Sequence, residues 1–373
     1  MPQSIVPDAP RFRLRWLAGL RPRWPDWLED PAGGWTPAGE RAVYTRVKGC
    51  LREVLADLER EGPVLLPSYA PGGVTWAALD AGRDVNYYPV CEDLSLSVDD
   101  VLDRIREVEP AVVLFIHYFG FVDDHYAALR EAAREAGAFI VEDCARGLFS
   151  RDADGALLGS TGDLSLFCLY KTLPVPNGGL VVSRDRPLPE AVGVRAEHRE
   201  AVMTAGATLL ARIGVRARRS VPDVNREHRL GPTSVADSTE LLEPGGISRR
   251  GLRRCNPPGV QEARLERYAE LRERLEGTTA HVVTPRAPAR AAPYGVAVLT
   301  ANVDERARLY DALHRRRLPG EVLTWPPIYR HQAVDAFDGA SALRRRLVVL
   351  PTHQQVPEET IPKLADCVRE NVE

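Results

Sequence analysis

Apolar and polar positions follow two rhythms along this chain. Between residues 41 and 60 the apolar positions Val43, Val47, Leu51, Val54, Leu55 and Leu58 fall at helical spacing, and Val64-Leu65-Leu66 ahead of Pro67 reads as a short buried strand. Short apolar runs at 85–90, 111–117, 138–142, 164–169 and 179–182 predict further strands. Helical spacing at 73–81, 98–107 and 124–135 fills the gaps between the earlier ones. Such alternation argues for an α/β architecture, a mostly parallel sheet covered by helices on both faces. Ligands of that architecture bind at the carboxyl ends of the strands.

A chain of 373 residues exceeds the size at which one core usually stops growing, so one large and one smaller domain is the expected arrangement. Residues 190–219 are Ala/Arg-rich and helical in pattern, 220–244 are polar and loop-like, and Gly, Pro and Arg cluster over 244–258. The boundary is placed after residue 250. Beyond it an amphipathic helix at 261–275, an apolar segment at 294–300, a helix at 304–316, a strand near 346–350 and a terminal helix from Pro357 predict an α+β unit. The first 35 residues hold Trp16, Trp24, Trp27 and Trp35 with little periodicity. They read as an irregular arm packed on the body, over the cleft or against a partner subunit. The expected division is an arm at 1–35, a large domain at 36–250 and a small one at 251–373.

Composition removes several function classes. A net charge of -3 provides no basic field for nucleic acid. The six cysteines form no C-x-x-C pair, which suits free thiols in a reducing cytoplasm. The longest apolar stretch, 111–122, contains His117 and is too short for a bilayer, and no signal pattern opens the chain, so a soluble cytoplasmic protein without membrane contact is expected. His117, His125, His314, His331 and His353 lack metal-ligand spacing and read as structural; no metal is expected. Dinucleotide, P-loop and nucleophile-elbow motifs are absent.

Lysine usage sharpens the picture. Of 49 Lys+Arg residues only Lys48, Lys171 and Lys363 are lysine. Arg serves as the general cation here, and Arg cannot form a Schiff base. Lys171 ends an apolar run, and Asp143 ends another 28 positions earlier. In a parallel sheet both ends project to the same side, so the two can converge on one ligand. An imine-forming amine with a carboxylate is what pyridoxal phosphate requires, the carboxylate keeping the pyridine nitrogen protonated. An ordinary Asp–Lys ion pair at the sheet edge is the competing reading.

The surrounding words bear on that choice. Val141-Glu142-Asp143-Cys144-Ala145-Arg146-Gly147, Leu158-Gly159-Ser160-Thr161-Gly162-Asp163 and Lys171-Thr172-Leu173-Pro174-Val175-Pro176-Asn177-Gly178-Gly179 resemble, in order and spacing, segments of the DegT-type sugar aminotransferases, fold type I pyridoxal-phosphate enzymes. Leu65-Leu66-Pro67-Ser68-Tyr69, Ile116-His117-Tyr118-Phe119-Gly120 and Leu350-Pro351-Thr352-His353-Gln354 are similar to three further segments of that family.

The resemblance implies a pyridoxal 5'-phosphate cofactor held as a Schiff base by Lys171, with Asp143 on its ring nitrogen. It implies a phosphate cradle at Gly39, Glu40 and Arg41, where a small loop is expected to open a helix. Tyr69, with Trp76 second, is the candidate for the ring face, and either can instead be a core aromatic. Arg146 stands where the family usually has Gln or His. The position of the family's phosphate-binding Ser falls to Cys168 or Ser165. The family's interdomain Gly-x-Asn-x-Arg segment is missing, and the Arg-rich stretch Ile247 to Arg254 occupies its neighbourhood, either as a solvated basic face or as a site for a phosphorylated substrate. The implied activity is a homodimeric aminotransferase carrying an amino group from a small-molecule donor, glutamate, to a keto acceptor among sugars, cyclitols or specialised metabolites. Elimination, dehydration or other α-carbon chemistry on the same cofactor is the alternative, and a non-catalytic cofactor-binding regulator or scaffold a third.

Overall fold

The computed structural model describes residues 23–197, 240–323, 325 and 337–372. Its strands are Glu40–Tyr44 (β1), Val64–Pro67 (β2), Val85–Tyr88 (β3), Val112–Ile116 (β4), Phe139–Asp143 (β5), Leu164–Cys168 (β6), Gly179–Ser183 (β7), Gly193–Val194 (β8), Leu242–Glu243 (β9), His281–Val282 (β10), Gly295–Leu299 (β11) and Leu347–Pro351 (β12). The helices are Asp26–Glu29 (α1), Val47–Ala56 (α2), Gly72–Asp80 (α3), Val98–Val108 (α4), Tyr126–Glu135 (α5), Leu169–Thr172 (α6), Gly246–Arg253 (α7), Pro257–Leu275 (α8), Val303–Arg315 (α9), Asp338–Arg346 (α10) and Thr360–Asn371 (α11).

Among the described residues seven strands form the main sheet, in the order β1-β7-β6-β5-β4-β2-β3. From β3 to β6 every pairing is parallel, while β7 is antiparallel to both β6 and β1. Strands buried on both faces can be apolar throughout, as β4 is and as β7 is up to its final Ser183. The chain steps outward from β2 to β3 and then crosses back to place β4 on the other side of β2. That reversal is a topological switch point, where α/β sheets open a crevice. A second sheet, β10-β11-β12, is antiparallel. One hydrophobic cluster runs from Leu65, Phe115 and Ile140 of the main sheet to Val296, Val298 and Val349 of the second. The opposite face of the main sheet packs Leu66, Leu114, Val141 and Leu166 against Leu51 and Val54 of α2.

The helices expected at 73–81, 98–107 and 124–135 are α3, α4 and α5. Three expectations need correction. Residues 41–60 are not one helix: Glu40 to Tyr44 pair with β7, whose fully buried strand needs a neighbour on that side, and the helix starts at Val47. Val43 and Val47 fit either period, and the edge pairing decides. The helical pattern at 190–219 begins instead as β8, paired in parallel with β9; residues 198–219, like most of the polar stretch 220–244, lie outside the described residues. The Gly- and Arg-rich stretch before residue 254 forms helix α7, with the buried Glu197 carboxylate accepting the N–H groups of Gly245, Ile247 and Ser248. Helix α10 and strand β10 carry no signal that sequence reading picked up. Of the arm, Trp24, Trp27 and Trp35 are described: Trp27 donates to Leu252 O (3.2 Å) and meets Phe149 edge-on.

Candidate active site

Parallel pairing sets the register of the two residues singled out by chemistry. Asp143 ends β5 opposite Leu166 of β6. Strand β6 stops at Cys168 and the chain turns into α6, so Lys171 sits on a helical turn one step past the strand end. Both occupy the carboxyl edge of the sheet. Asp143 is 5% exposed, and its Oδ1 accepts Ala145 N–H (2.9 Å). Burial raises the Asp143 carboxyl above its ordinary value, and the Lys171 ammonium is the strongest influence drawing it back down, ahead of Ala145 N–H and Arg146. No described residue donates a charged hydrogen bond to Asp143. A buried carboxylate beside an amine, each free of a direct ion pair, fits a pyridinium nitrogen and an aldehyde as ligands.

The preceding residue serves another neighbour, because successive strand residues face opposite ways. Glu142 Oε1 pairs with His117 Nε2 at 2.9 Å, and Glu142 also accepts from Thr161 N–H (2.9 Å), Thr161 Oγ1 (3.2 Å) and Gly162 N–H. Burial pushes this carboxyl up, but His117 and the two peptide donors outweigh it and hold it at about 2. Cys144 lies with them, the three possible ligand atoms all within 4.8 Å of one another. The carboxylate's acceptor sites are already used by protein donors, and the trio works as an internal brace between β4, β5 and the loop entering β6.

The switch point is lined by aromatic rings. Tyr69 follows β2 and Tyr118 follows β4, and their rings stack at 5.7 Å. Trp325 closes on both, 4.6 Å from Tyr69 and 6.4 Å from Tyr118. Tyr69 is fully buried and its hydroxyl donates to Leu323 O (2.9 Å). Arg146, beyond Asp143, lies 4.7 Å from the Tyr294 ring and 5.4 Å from that of Trp325, and its Nη2 meets Glu321 Oε1 at 2.9 Å. Tyr294 donates to the other Glu321 oxygen (2.9 Å). Burial opposes the Arg146 charge, yet Glu321 and Tyr294 raise its pKa above the ordinary value. Sequence reading singled out Arg146 and Tyr69 but none of Glu321, Tyr294 or Trp325, which join only through contacts between distant chain segments.

The residues expected to form a phosphate cradle lie away from Lys171. Gly39, Glu40 and Arg41 introduce a strand rather than a helix, and Glu40 aligns with Ser183, which aligns with Leu164 at the start of β6. The Lys171 end of the sheet is at Tyr44, Gly179 and Cys168, four residues or about 13 Å away. Glu40 accepts Leu188 N–H (3.0 Å), and Arg41 donates to Leu28 O and Thr36 Oγ1. Ser165 is likewise spent, donating to Gly159 O (2.7 Å) near the start of β6. Cys168 is at the right end, beside Tyr170. Trp76 lies on α3.

What does adjoin Lys171 is the amino end of α2. Arg46 holds its guanidinium 4.3 Å from the Tyr170 ring, and Val47 packs so tightly on Gly179 that a Cβ there would stand 2.9 Å from Val47 N. Among the described residues no side chain caps this end, so its leading N–H groups suit an anion, with Arg46 and Lys48 adding charge. The signal was in the sequence: Lys48 is one of three lysines and directly follows the strand-to-helix turn.

Comparison with known proteins agrees with this geometry. The model of the DegT/DnrJ/EryC1/StrS aminotransferase family matches residues 54–216. The chain is 26% identical over 332 residues to Protein Rv3402c of Mycobacterium tuberculosis, spanning 83% of this chain and 72% of that one. Among solved structures it is similar to Spr1654 of Streptococcus pneumoniae in its PLP form (TM-score 0.70, 15% identity, 99% of this chain and 98% of that one). It is also similar to the sugar aminotransferase CalS13 of Micromonospora echinospora (TM-score 0.67, 17% identity, 98% and 99%). The stretch carrying Asp143 and Lys171 therefore matches the DegT/DnrJ/EryC1/StrS aminotransferase family, which supports a pyridoxal-phosphate-dependent enzyme, and the whole chain shares the fold of the solved sugar aminotransferases.

Proposed function

We propose that this enzyme moves an amino group from an amino donor, glutamate, to a ketone on a sugar, cyclitol or related specialised metabolite, working in the cytoplasm as a homodimer with a large unit at 36–250 and a small one at 251–373. One observation carries the reading: Asp143 ends β5 and Lys171 stands on the turn just past the adjacent parallel strand β6, the carboxylate buried and the amine close enough to draw its pKa down. The family match over residues 54–216 supports it.

Pyridoxal phosphate, when bound, supplies an aldehyde and an electron-withdrawing ring. Lys171 Nζ would hold the cofactor's aldehyde carbon and would serve as the base that moves a proton at the substrate carbon. The Asp143 carboxylate holds the proton of the ring nitrogen. Peptide N–H groups at the start of α2, with Arg46 and Lys48, bind the phosphate. Tyr69, Tyr118 and Trp325 exclude water from the switch point, and Arg146 places a fixed positive charge there.

The test is the visible spectrum of the protein with pyridoxal phosphate, before and after excess glutamate. A band that forms and then bleaches is expected, and Lys171→Ala should form none. A band indifferent to glutamate would point to another donor or to elimination and related α-carbon chemistry, a reading favoured by the Arg146 charge at the switch point. No band in the wild type would remove the cofactor reading. Biological activity unchanged by Lys171→Ala would leave a scaffold.

A further inference from the structure

Lys171 stands on a helix of four residues, and a helix this short cannot hold its own carboxyl end. A Leu173 N–H to Leu169 O bond of 2.7 Å closes the turn. The carbonyl of Thr172, the residue directly after Lys171, receives two donors from far along the chain. Arg264 Nη2 of α8 reaches it at 3.1 Å, and Gln354 Nε2, just past β12, at 3.0 Å. Arg264 Nη1 goes to Pro293 O at 3.1 Å, so one planar fork ties the lysine turn to the segment entering β11.

The Arg264 donor is dearer than a simple cap requires. Arg264 is 1% exposed, and its guanidinium faces two carbonyls and the Tyr294 ring at 6.0 Å instead of a carboxylate. Burial without a counter-charge pulls its pKa down to about 10. Burying such a cation carries a desolvation cost that an apolar residue on α8 would not incur. The exchange yields rigidity, since a charged fork and a side-chain amide fix one carbonyl in direction as well as in distance.

We propose that Arg264 and Gln354 are positioning residues for Lys171: they fix the turn that presents its amine to the cofactor's aldehyde, without themselves touching the cofactor. The inference rests on Lys171 being the amine that captures pyridoxal phosphate. It takes the residues beyond 250 as a splint for the carboxyl edge of the main sheet, so that loss of either donor lets the amine wander while the fold persists.

The test separates capture by the amine from binding of the rest of the cofactor. Full-length wild type, Gln354→Ala and Arg264→Lys are titrated with pyridoxal phosphate, read by visible absorbance, and with pyridoxamine phosphate, which needs no lysine, read by calorimetry. Thermal melting is followed alongside. Gln354→Ala should weaken pyridoxal phosphate about tenfold, the size of one lost hydrogen bond, while pyridoxamine phosphate stays within about twofold. Arg264→Lys keeps the charge but can reach only one of the two carbonyls, and should show the same split. Parallel weakening of both ligands in Gln354→Ala, or no change in either, would overturn the proposal and leave the two side chains as ordinary caps. If Arg264→Lys fails to fold, Gln354→Ala decides alone. A wild type that binds neither ligand would instead sink the cofactor reading itself.

Discussion

Glu142 offers a sharp test of the architecture beneath the site. Replacing it by Gln keeps the shape and removes the charge. The carboxyl is held at about 2 against an ordinary 4.5, and at about 1.4 kcal/mol per pH unit the ionised form contributes on the order of 3 kcal/mol at neutral pH. Because the folded value lies below the unfolded one, that contribution is complete above about pH 4.5 and is lost as the pH falls through about 2. Urea denaturation of wild type and Glu142→Gln at a series of pH values from 7 to 3 should therefore show a gap near 3 kcal/mol that is flat down to about pH 5 and then closes. In a chain of this size such a gap lowers the melting temperature by roughly 5 °C. The loss reaches the site, because Glu142 holds Thr161 and Gly162 at the entry to β6, the strand that leads to Lys171. A gap below about 1 kcal/mol, or one that stays constant into acid, would refute the claim that the His117 pair and the two peptide donors hold this carboxylate ionised.

Two further changes probe the edges of the site. Gly179→Ala would place a Cβ 2.5 Å from Val47 Cγ1 and 2.9 Å from Val47 N. It should cost about 1–3 kcal/mol and, by displacing the start of α2, weaken pyridoxamine phosphate in calorimetry; unchanged affinity would remove α2 as the phosphate end. Glu321→Ala would strand the Arg146 guanidinium between two aromatic rings, at a cost of about 3–5 kcal/mol in urea denaturation. Adding Arg146→Met should recover most of that loss, whereas a double variant no more stable than Glu321→Ala would mean that the pair is not coupled.

The parts legible in the sequence share a physical reason. Residues 64 to 143 alternate cleanly because β2, β4 and β5 lie inside the sheet, where both faces select apolar residues, and the edge strand β3 is still mostly buried. Strand β1 misled because an edge strand is only half buried, and Val43 with Val47 satisfies a helical period as well as it ends one strand and opens the next helix. Asp143 and Lys171 were legible because their chemistry is rare in context: an amine in an arginine-rich chain and a carboxylate closing an apolar run. Arg264, Glu321 and Tyr294 were not, since each acquires meaning only from a partner between 27 and 175 positions away. Neither residue type nor local spacing marks such a partner. The distance of the expected cradle from Lys171 was hidden for a related reason: Gly39 looks like a cradle locally, and only the register of β1 on β7 reveals that it sits at the opposite end of the sheet from Lys171.

The Asp143 carboxylate links stability to function with the opposite sign from its neighbour. Burial raises its pKa in the folded protein, so its contribution to stability is present below the ordinary carboxylate value and is lost as the pH rises through the folded one. Above that folded value the ionised group therefore strains the cofactor-free protein. Evolution can retain such a group where a ligand later supplies the missing cation, and a protonated ring nitrogen is that cation. Asp143→Asn should then melt at or above the wild type without cofactor at pH 7, yet gain less than the wild type when pyridoxamine phosphate is added. The two effects must appear together in one pair of melting curves. A cofactor-free Asp143→Asn that melts several degrees below the wild type would mean that the carboxylate is satisfied by the protein alone, and that its place beside Lys171 is a structural ion pair.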